Sequence, residues 1–296
     1  MTIEKFLSSG KQFVDEGLDR LLPKEGTYPE SIHKSMRYSV LAGGKRLRPL
    51  LVIAAAEALG KSREAVLPFA VAAELIHTYT LIHDDLPALD DDNLRRGKPT
   101  NHKVFGEAIA ILAGDALLTH AFSIMTNAVL MDSIPEKNIL KATNEMAKAM
   151  GSMGVIGGQV VDIESEGSPI NAETLEYIHM YKTGFLIRAC IHCGAVLSQA
   201  TPSQLNLLSR YGSHIGLAFQ IVDDILDITS KNDILGKDIG SDLERGKATY
   251  PALFGLEESK KKAVWLVDEA ITSLNSFGER AEPLRGIARF FVERTF

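Results

Sequence analysis

The chain has 296 residues, is 45% hydrophobic and 24% charged, and carries a formal net charge of −6. Such proportions allow a sizeable buried core. The acidic balance argues against nucleic acid and anionic membrane as partners, because both select basic surfaces. Residues 1–13 lack a basic start followed by an apolar core, so no signal peptide is read. No run reaches the ~18 apolar residues of a membrane span; 109–118 comes nearest and is interrupted by Asp115. A soluble, cytoplasmic, single-domain chain without a stable membrane anchor is expected.

In chain order, the segments 31–59, 69–85, 103–127, 136–153, 172–198, 204–229 and 248–275 are rich in helix formers. Their apolar residues recur at three and four. Within 204–229 the series is Leu205, Leu208, Ile215, Ala218, Phe219, Val222 and Leu226. Asn171 is a candidate N-cap for the segment after it. Breakers fall at 23–29, 96–100, 167–169, 201–202 and 230–246; the last is a long polar stretch of the kind that often carries function. Strand signals are nearly absent. The fold class expected is all-α, a bundle of about ten helices. Cys190 and Cys193 form a C-x-x-C pair, but no second pair exists to complete a zinc site and no strand precedes it, so helix packing is the reading. Gly151, Gly154, Gly157 and Gly158 also read as close helix packing, since no strand precedes them to make a phosphate loop.

The window 84–92 holds five carboxylates: Asp84, Asp85, Asp90, Asp91 and Asp92. A second cluster comprises Asp223, Asp224 and Asp227. Each ends a long apolar stretch, where a solvated acidic loop is not expected. Two bare carboxylates ~4 Å apart cost about 4 kcal/mol at an effective dielectric of ~20. The helix dipole at a C-terminus adds to that cost. Hard divalent cations bound through oxygen would offset both, and magnesium suits one or two carboxylates together with substrate phosphates. Asp223 and Asp227 are four apart and share a helix face. In the first cluster Pro87 interrupts the helix, and spacing alone leaves open which of Asp90, Asp91 and Asp92 meets a metal.

Basic residues accompany the acids: Lys45, Arg46 and Arg48 upstream, Arg95, Arg96 and Lys98 after the first cluster, and Lys182, Lys237 and Lys247 around the second. Acids able to hold magnesium beside bases able to hold phosphate point to a diphosphate ligand. No Walker loop, nucleophile elbow or H-E-x-x-H motif is present.

These motifs, in this order, resemble the trans-isoprenyl diphosphate synthases, and within them the farnesyl-forming bacterial members. The resemblance runs from Gly43-Gly44-Lys45-Arg46-Leu47-Arg48-Pro49, through Gly114-Asp115, Gly158-Gln159-Val160-Val161-Asp162, Tyr181-Lys182-Thr183-Gly184 and Phe219-Gln220, to Gly236-Lys237-Asp238 and Lys247-Ala248-Thr249. It implies the isoprenoid synthase fold, an orthogonal helical bundle around a deep central cavity with both acidic clusters at its mouth, and a homodimer. Three magnesium ions are implied, with manganese the chemical alternative. Asp84, Asp90 and Asp223 are then the expected metal ligands, with Asp85 and Asp227 close by. Arg95, Lys182, Lys237 and Lys247 would hold the allylic diphosphate, from dimethylallyl or geranyl diphosphate. Gly44, Lys45, Arg48, His77 and Arg96 would hold isopentenyl diphosphate. Thr183 and Gln220 would sit near the reacting carbons. His77 by itself reads as a packed core histidine; the resemblance alone makes it a ligand.

The chemistry implied is ionisation of the allylic C–O bond, attack by the second double bond, and loss of a proton, in a cavity that must stay dry. The stretch 230–247 is read as a segment that closes over it. The resemblance gives Tyr79 and Thr80 a role in chain length. Tyr79 lies five residues before Asp84, ~7–8 Å deeper along the helix, where a ring would stop growth at fifteen carbons. The rival readings are a geranylgeranyl-forming enzyme and a non-catalytic regulatory subunit; the second fits poorly with two complete acidic clusters. A terpene cyclase would lack the site built on Lys45 and Arg48.

Overall fold

The computed structural model describes residues 2–167, 170–229 and 249–293. Among them the chain is almost entirely helical. In order come α1 (Ile3–Leu21), α2 (Glu30–Val40), α3 (Leu47–Ala58), α4 (Arg63–Asp84), a two-residue hairpin, α5 (Asn101–Phe105), α6 (Glu107–Met125), α7 (Glu136–Met150), α8 (Val155–Glu164) and α9 (Ala172–Ile178). A π-helical turn (His179–Gly184) leads into α10 (Phe185–Leu197), followed by α11 (Pro202–Thr229), α12 (Tyr250–Phe254), α13 (Leu256–Ser273) and α14 (Glu282–Glu293). Eleven of these helices run to ten residues or more, which agrees with the all-α expectation. Asn171 caps α9 as expected, its side chain accepting from Thr174 N.

Three helices fall outside the predicted segments: α1, α8 and α14. The predicted helix 31–59 is two helices, because Gly43, Gly44 and Arg46 all take positive φ (96°, 120° and 52°) and no right-handed helix passes through them. The region 94–99, read as loop, forms an antiparallel pair, Leu94–Arg95 with Lys98–Pro99. Its tip is Arg96-Gly97, both at positive φ (54° and 72°), as a tight two-residue hairpin turn requires.

The core lies where α4 and α10 pass through the bundle. α4 packs on α3 and α6, and α10 on α3, α7 and α11. Both cysteines are buried in α10 as free thiols. Burial pushes the Cys190 thiol up to about 12 and Cys193 well above its ordinary value, which suits packing and not redox or metal chemistry. Contrary to the reading of single apolar runs, α4 and α6 are long and apolar enough to cross a membrane by length and composition. In α4 the apolar stretch is 78% buried inside the fold; in α6 only 39% is.

Close approaches fix how the helices around the π-turn cross. A Cβ at Gly158 would meet Lys182 N and stand 2.6 Å from Tyr181 C; one at Gly216 would stand 2.8 Å from Gly184 Cα. α8 and α11 thus touch the π-turn backbone to backbone, as the sequence reading of Gly158 anticipated. Gly158→Ala should therefore destabilise the protein by about 1–3 kcal/mol, since backbone cannot yield as a side chain can. Gly151→Ala, whose nearest neighbour would be 3.4 Å away, should stay within ~0.5 kcal/mol. Thermal denaturation of the two variants compares them directly.

Candidate active site

The first acidic cluster ends α4. After Asp84 the chain doubles back around Pro87: Asp90 N–H donates to Asp84 O at 2.8 Å, and Leu89 and Asp91 N–H both donate to Leu86 O, at 2.9 and 3.1 Å. This turn places the three later aspartates differently. Asp90 is brought beside Asp84, whose carboxyl feels its charge. Asp91, at φ 47°, points out to Lys103 at 3.7 Å. Asp92 accepts from Arg95 Nη2 at 2.9 Å. Asp85 is buried and takes Arg95 Nε at 2.9 Å, with a second, shorter bond from Nη2. Burial pushes Asp84 up to about 6, with Asp90 and Asp85 adding to the rise and Lys182 and Arg95 opposing it. A carboxyl held so far from its ordinary value gains from a cation placed against it.

The second cluster lies on the last two turns of α11. Asp223 and Asp227 share a face, and the Asp223 charge is felt by Arg48 across the site. Asp224 is turned away and buried; its Oδ2 accepts from Tyr250 N at 2.7 Å and lies 3.3 Å from His179 Nε2.

Between the clusters stands the π-turn. Lys182 Nζ donates to Asp162 Oδ2 at 2.6 Å. Burial works against its charge, but Asp162, Asp84 and Asp90 outweigh it and raise the Lys182 pKa. Lys182 also lines one cavity with Asp162, Gln220, Asp224 and Thr249. A single ammonium therefore connects the first acidic end to the space beside the second. Thr183 comes next in the same turn. A run of i→i+5 bonds is rare and concentrates at functional sites.

The basic half of the site grows from the 43–48 turn. Arg46 runs inward, to Asp15 (2.7 Å), Glu74 (2.8 Å) and Val40 O (2.8 Å). These bonds hold its strained αL backbone. Arg48 runs the other way and places Nη1 3.2 Å from His77 Nε2. Burial, with Arg48 and Arg96 nearby, pushes His77 well below its usual range, leaving a neutral imidazole that can accept from Arg48. Arg96 Nη1 bonds Gly43 O, and a Cβ at Gly44 would stand 2.7 Å from the Arg96 guanidinium carbon. The paired glycines thus make a flat seat for that side chain. Lys45 is exposed at the rim.

His77, Thr80 and Asp84 follow one stripe of α4 at spacings of three and four, and Thr80 Oγ1 donates to His77 O at 2.8 Å. Tyr79 lies about 140° around the helix from Asp84. Its buried ring meets the edge of His83 at 5.7 Å, and His83 reaches Ile111 O at 3.0 Å. Burial and the Asp84 charge push the Tyr79 hydroxyl up to about 12. Lys237, Lys247 and the stretch 230–247 lie outside the described residues.

Hard oxygen donors at both acidic ends fit magnesium. Among the described residues no three His, Cys, Asp or Glu side chains converge on one point. Asp84 with Asp90, and Asp223 with Asp227, offer carboxylates in twos, the number magnesium takes when phosphate oxygens complete its shell. Sequence reasoning missed the partner of Lys182, Asp162, and the inward role of Arg46; both stood inside quoted motifs.

Residues 29–280 match the family described as polyprenyl synthetase. A farnesyl diphosphate synthase of Geobacillus stearothermophilus is 48% identical over 271 residues, covering 91% of this chain and 90% of its own. A geranylgeranyl diphosphate synthase of Cyanophora paradoxa is 47% identical over 290 residues, covering 98% of this chain and 95% of its own. The crystal structure of an FPP/GFPP synthase from Zymomonas mobilis superposes with a TM-score of 0.88 at 38% identity, covering 98% of each chain. Fold, motif order and these matches agree, and the chain belongs to the polyprenyl synthetase family, the trans-isoprenyl diphosphate synthases.

Proposed function

We propose that the chain condenses isopentenyl diphosphate head to tail with dimethylallyl and then geranyl diphosphate, giving farnesyl diphosphate. The observation that carries the reading is the position of Lys182, coupled to Asp84 and Asp90 while lining one cavity with Gln220 and Asp224. Asp84, Asp90, Asp223 and Asp227 would hold magnesium against the allylic diphosphate. Magnesium bound there supplies positive charge that stabilises the leaving diphosphate. Lys182, kept protonated by Asp162 and Asp84, adds a fixed charge on the same side. Arg95 is bonded to Asp85 and Asp92 and aligns the rim. Fixed charges aimed where charge develops need no reorganisation as the C–O bond breaks. Arg48, His77 and Arg96 form the second anion site, which orients isopentenyl diphosphate so that its double bond meets the allylic cation. The proton lost in closing the new double bond passes to the released diphosphate. Thr183 and Gln220 flank the reacting carbons.

Product length is assigned to Tyr79, a buried ring on α4 close enough to feel Asp84. A rigid ring there favours fifteen carbons. Relatives named geranylgeranyl diphosphate synthase at 47% identity support twenty carbons as the second reading. Incubation of the purified chain with magnesium, isopentenyl diphosphate and each allylic starter, with products sized by chromatography, decides between them. Absence of any condensation product would sink both.

A homodimer is supported by α6, whose surface leaves Ile111 44% and Leu112 53% exposed.

Three outcomes are expected. Asp90→Asn should lower kcat about 10²-fold or more, whereas Asp91→Asn should change it less than about threefold; steady-state kinetics at saturating magnesium would show the contrast. Tyr79→Ala should shift the major product beyond fifteen carbons, and an unchanged chromatogram would remove Tyr79 from the length argument. Replacing Ile111 and Leu112 together by Glu should turn a dimer into a monomer in light scattering, because charge at the centre of an apolar interface is desolvated without a partner.

A further inference from the structure

The three carboxylates of the second cluster do not share one task. Asp224 is 8% exposed and commits its Oδ2 to two other elements. It accepts from Tyr250 N–H at 2.7 Å, at the start of α12, and faces His179 Nε2 at 3.3 Å. His179 is the first residue of the π-turn and is 7% exposed. Its Nδ1 has no hydrogen-bond partner among the described residues, so its orientation depends on Asp224 and on the Tyr250 ring, stacked at 6.3 Å and 22°. Tyr250 is fastened at its far end too, its hydroxyl donating to Glu176 Oε1 in α9 at 3.0 Å. One carboxylate oxygen thus joins α11, the π-turn and α12.

The π-turn has reason to be held. Its i→i+5 bonds are less favourable than those of an α-helix. Reverting the turn to α geometry would drop one residue from it and rotate the downstream side chains by about 100°. Lys182 stands three residues after His179 and would leave Asp162, Asp84 and Asp90. Gly158 and Gly216 keep side chains off the turn's flanks. His179 with Asp224 is a polar tie at the start of the turn, and Lys182 with Asp162 is another inside it.

We propose that Asp224 and His179 are positioning residues that lock the register of the π-turn and so fix Lys182 and Thr183 in the site, and that Asp224 is not a metal ligand. The functional part rests on the reaction proposed above; the structural part does not.

The experiment measures two things on purified full-length variants: amide hydrogen exchange across 179–184, without substrate, and steady-state kinetics with the magnesium concentration for half-maximal rate. Asp224→Ala should accelerate exchange in 179–184 about tenfold or more, the scale of losing a hydrogen bond to a charged group. It should lower kcat by a similar factor and leave the magnesium requirement within about twofold. Asp224→Asn keeps an acceptor for Tyr250 N–H and should restore most of both. His179→Ala should change exchange in 179–184 and kcat in the same direction as Asp224→Ala, and by no more, since the Tyr250 bond stays. The double variant should be no worse than Asp224→Ala alone, because His179→Ala removes a tie that Asp224→Ala has already removed. His179→Ala also leaves the Tyr250 bond in place, so it carries the exchange test if Asp224→Ala does not fold. Two results overturn the proposal: unchanged exchange in 179–184 in His179→Ala, or a magnesium requirement in Asp224→Asn raised as far as in Asp223→Asn. The exchange readout needs no turnover, so it decides the tie even if the reaction is another.

Discussion

The ammonium of Lys182 satisfies three carboxylates that the fold places near one another: Asp162 by a direct bond, Asp84 and Asp90 through space. Without a cation in that position the end of α4 would gather like charges at the negative end of a helix dipole. With it, burial, joined by the charges of Asp90 and Asp85, still holds Asp84 up near 6, which leaves appetite for further positive charge. The backbone around Lys182 answers this demand. The π-turn swings the side chain toward α4, Gly158 lets α8 approach the turn closely enough for Asp162 to bond it, and Gly216 lets α11 do the same from the other side. Local irregularity, helix packing and site electrostatics share one cause.

The basic half of the site obeys a related logic with the signs reversed. Arg46 and Arg48, two residues apart, run to different places. Arg46 is consumed inside the fold by Asp15 and Glu74, and a buried pair of that kind contributes orientation more than net stability. It holds the 43–48 turn in a conformation its own backbone resists, and that turn presents Arg48 to His77 and seats Arg96 on Gly43 and Gly44. A neutral His77 among guanidinium groups lowers the local repulsion while still accepting from one of them.

Much of this was legible in the sequence because the signals are local. Helix composition and three-four spacing gave most of the bundle, and the i, i+4 spacing separated Asp223 and Asp227 from Asp224. Gly43-Gly44 was read as part of a motif but not as a helix break, although paired glycines ahead of Pro49 are a breaker signal. α1 and α14 were missed although both are amphipathic, with polar faces that dilute their composition. What could not be read is contact between distant segments: Lys182 with Asp162 across twenty positions, Arg46 with Glu74, Asp224 with His179 and Tyr250. The return of Asp90 to Asp84 depends on a turn around Pro87 whose bonds spacing alone does not specify.

The two ends of the proposed reaction draw on different physics. The diphosphate ends are bound by charge, which is long-ranged and set by many groups at once, so relatives named for different products can keep the same acidic and basic motifs. The hydrocarbon end is bounded by volume, which is short-ranged and set by the few side chains it touches. In the proposed reading Tyr79 belongs to the second kind: its ring is buried and meets His83, about 140° around α4 from Asp84 and off the stripe of His77, Thr80 and Asp84. A change at such a wall can move the stopping point of the chain while leaving ionisation intact. This accounts for similar identity to a farnesyl diphosphate synthase and to a geranylgeranyl diphosphate synthase, 48% and 47%. On the proposed reading product length turns on a few side chains, so overall identity does not separate the two products.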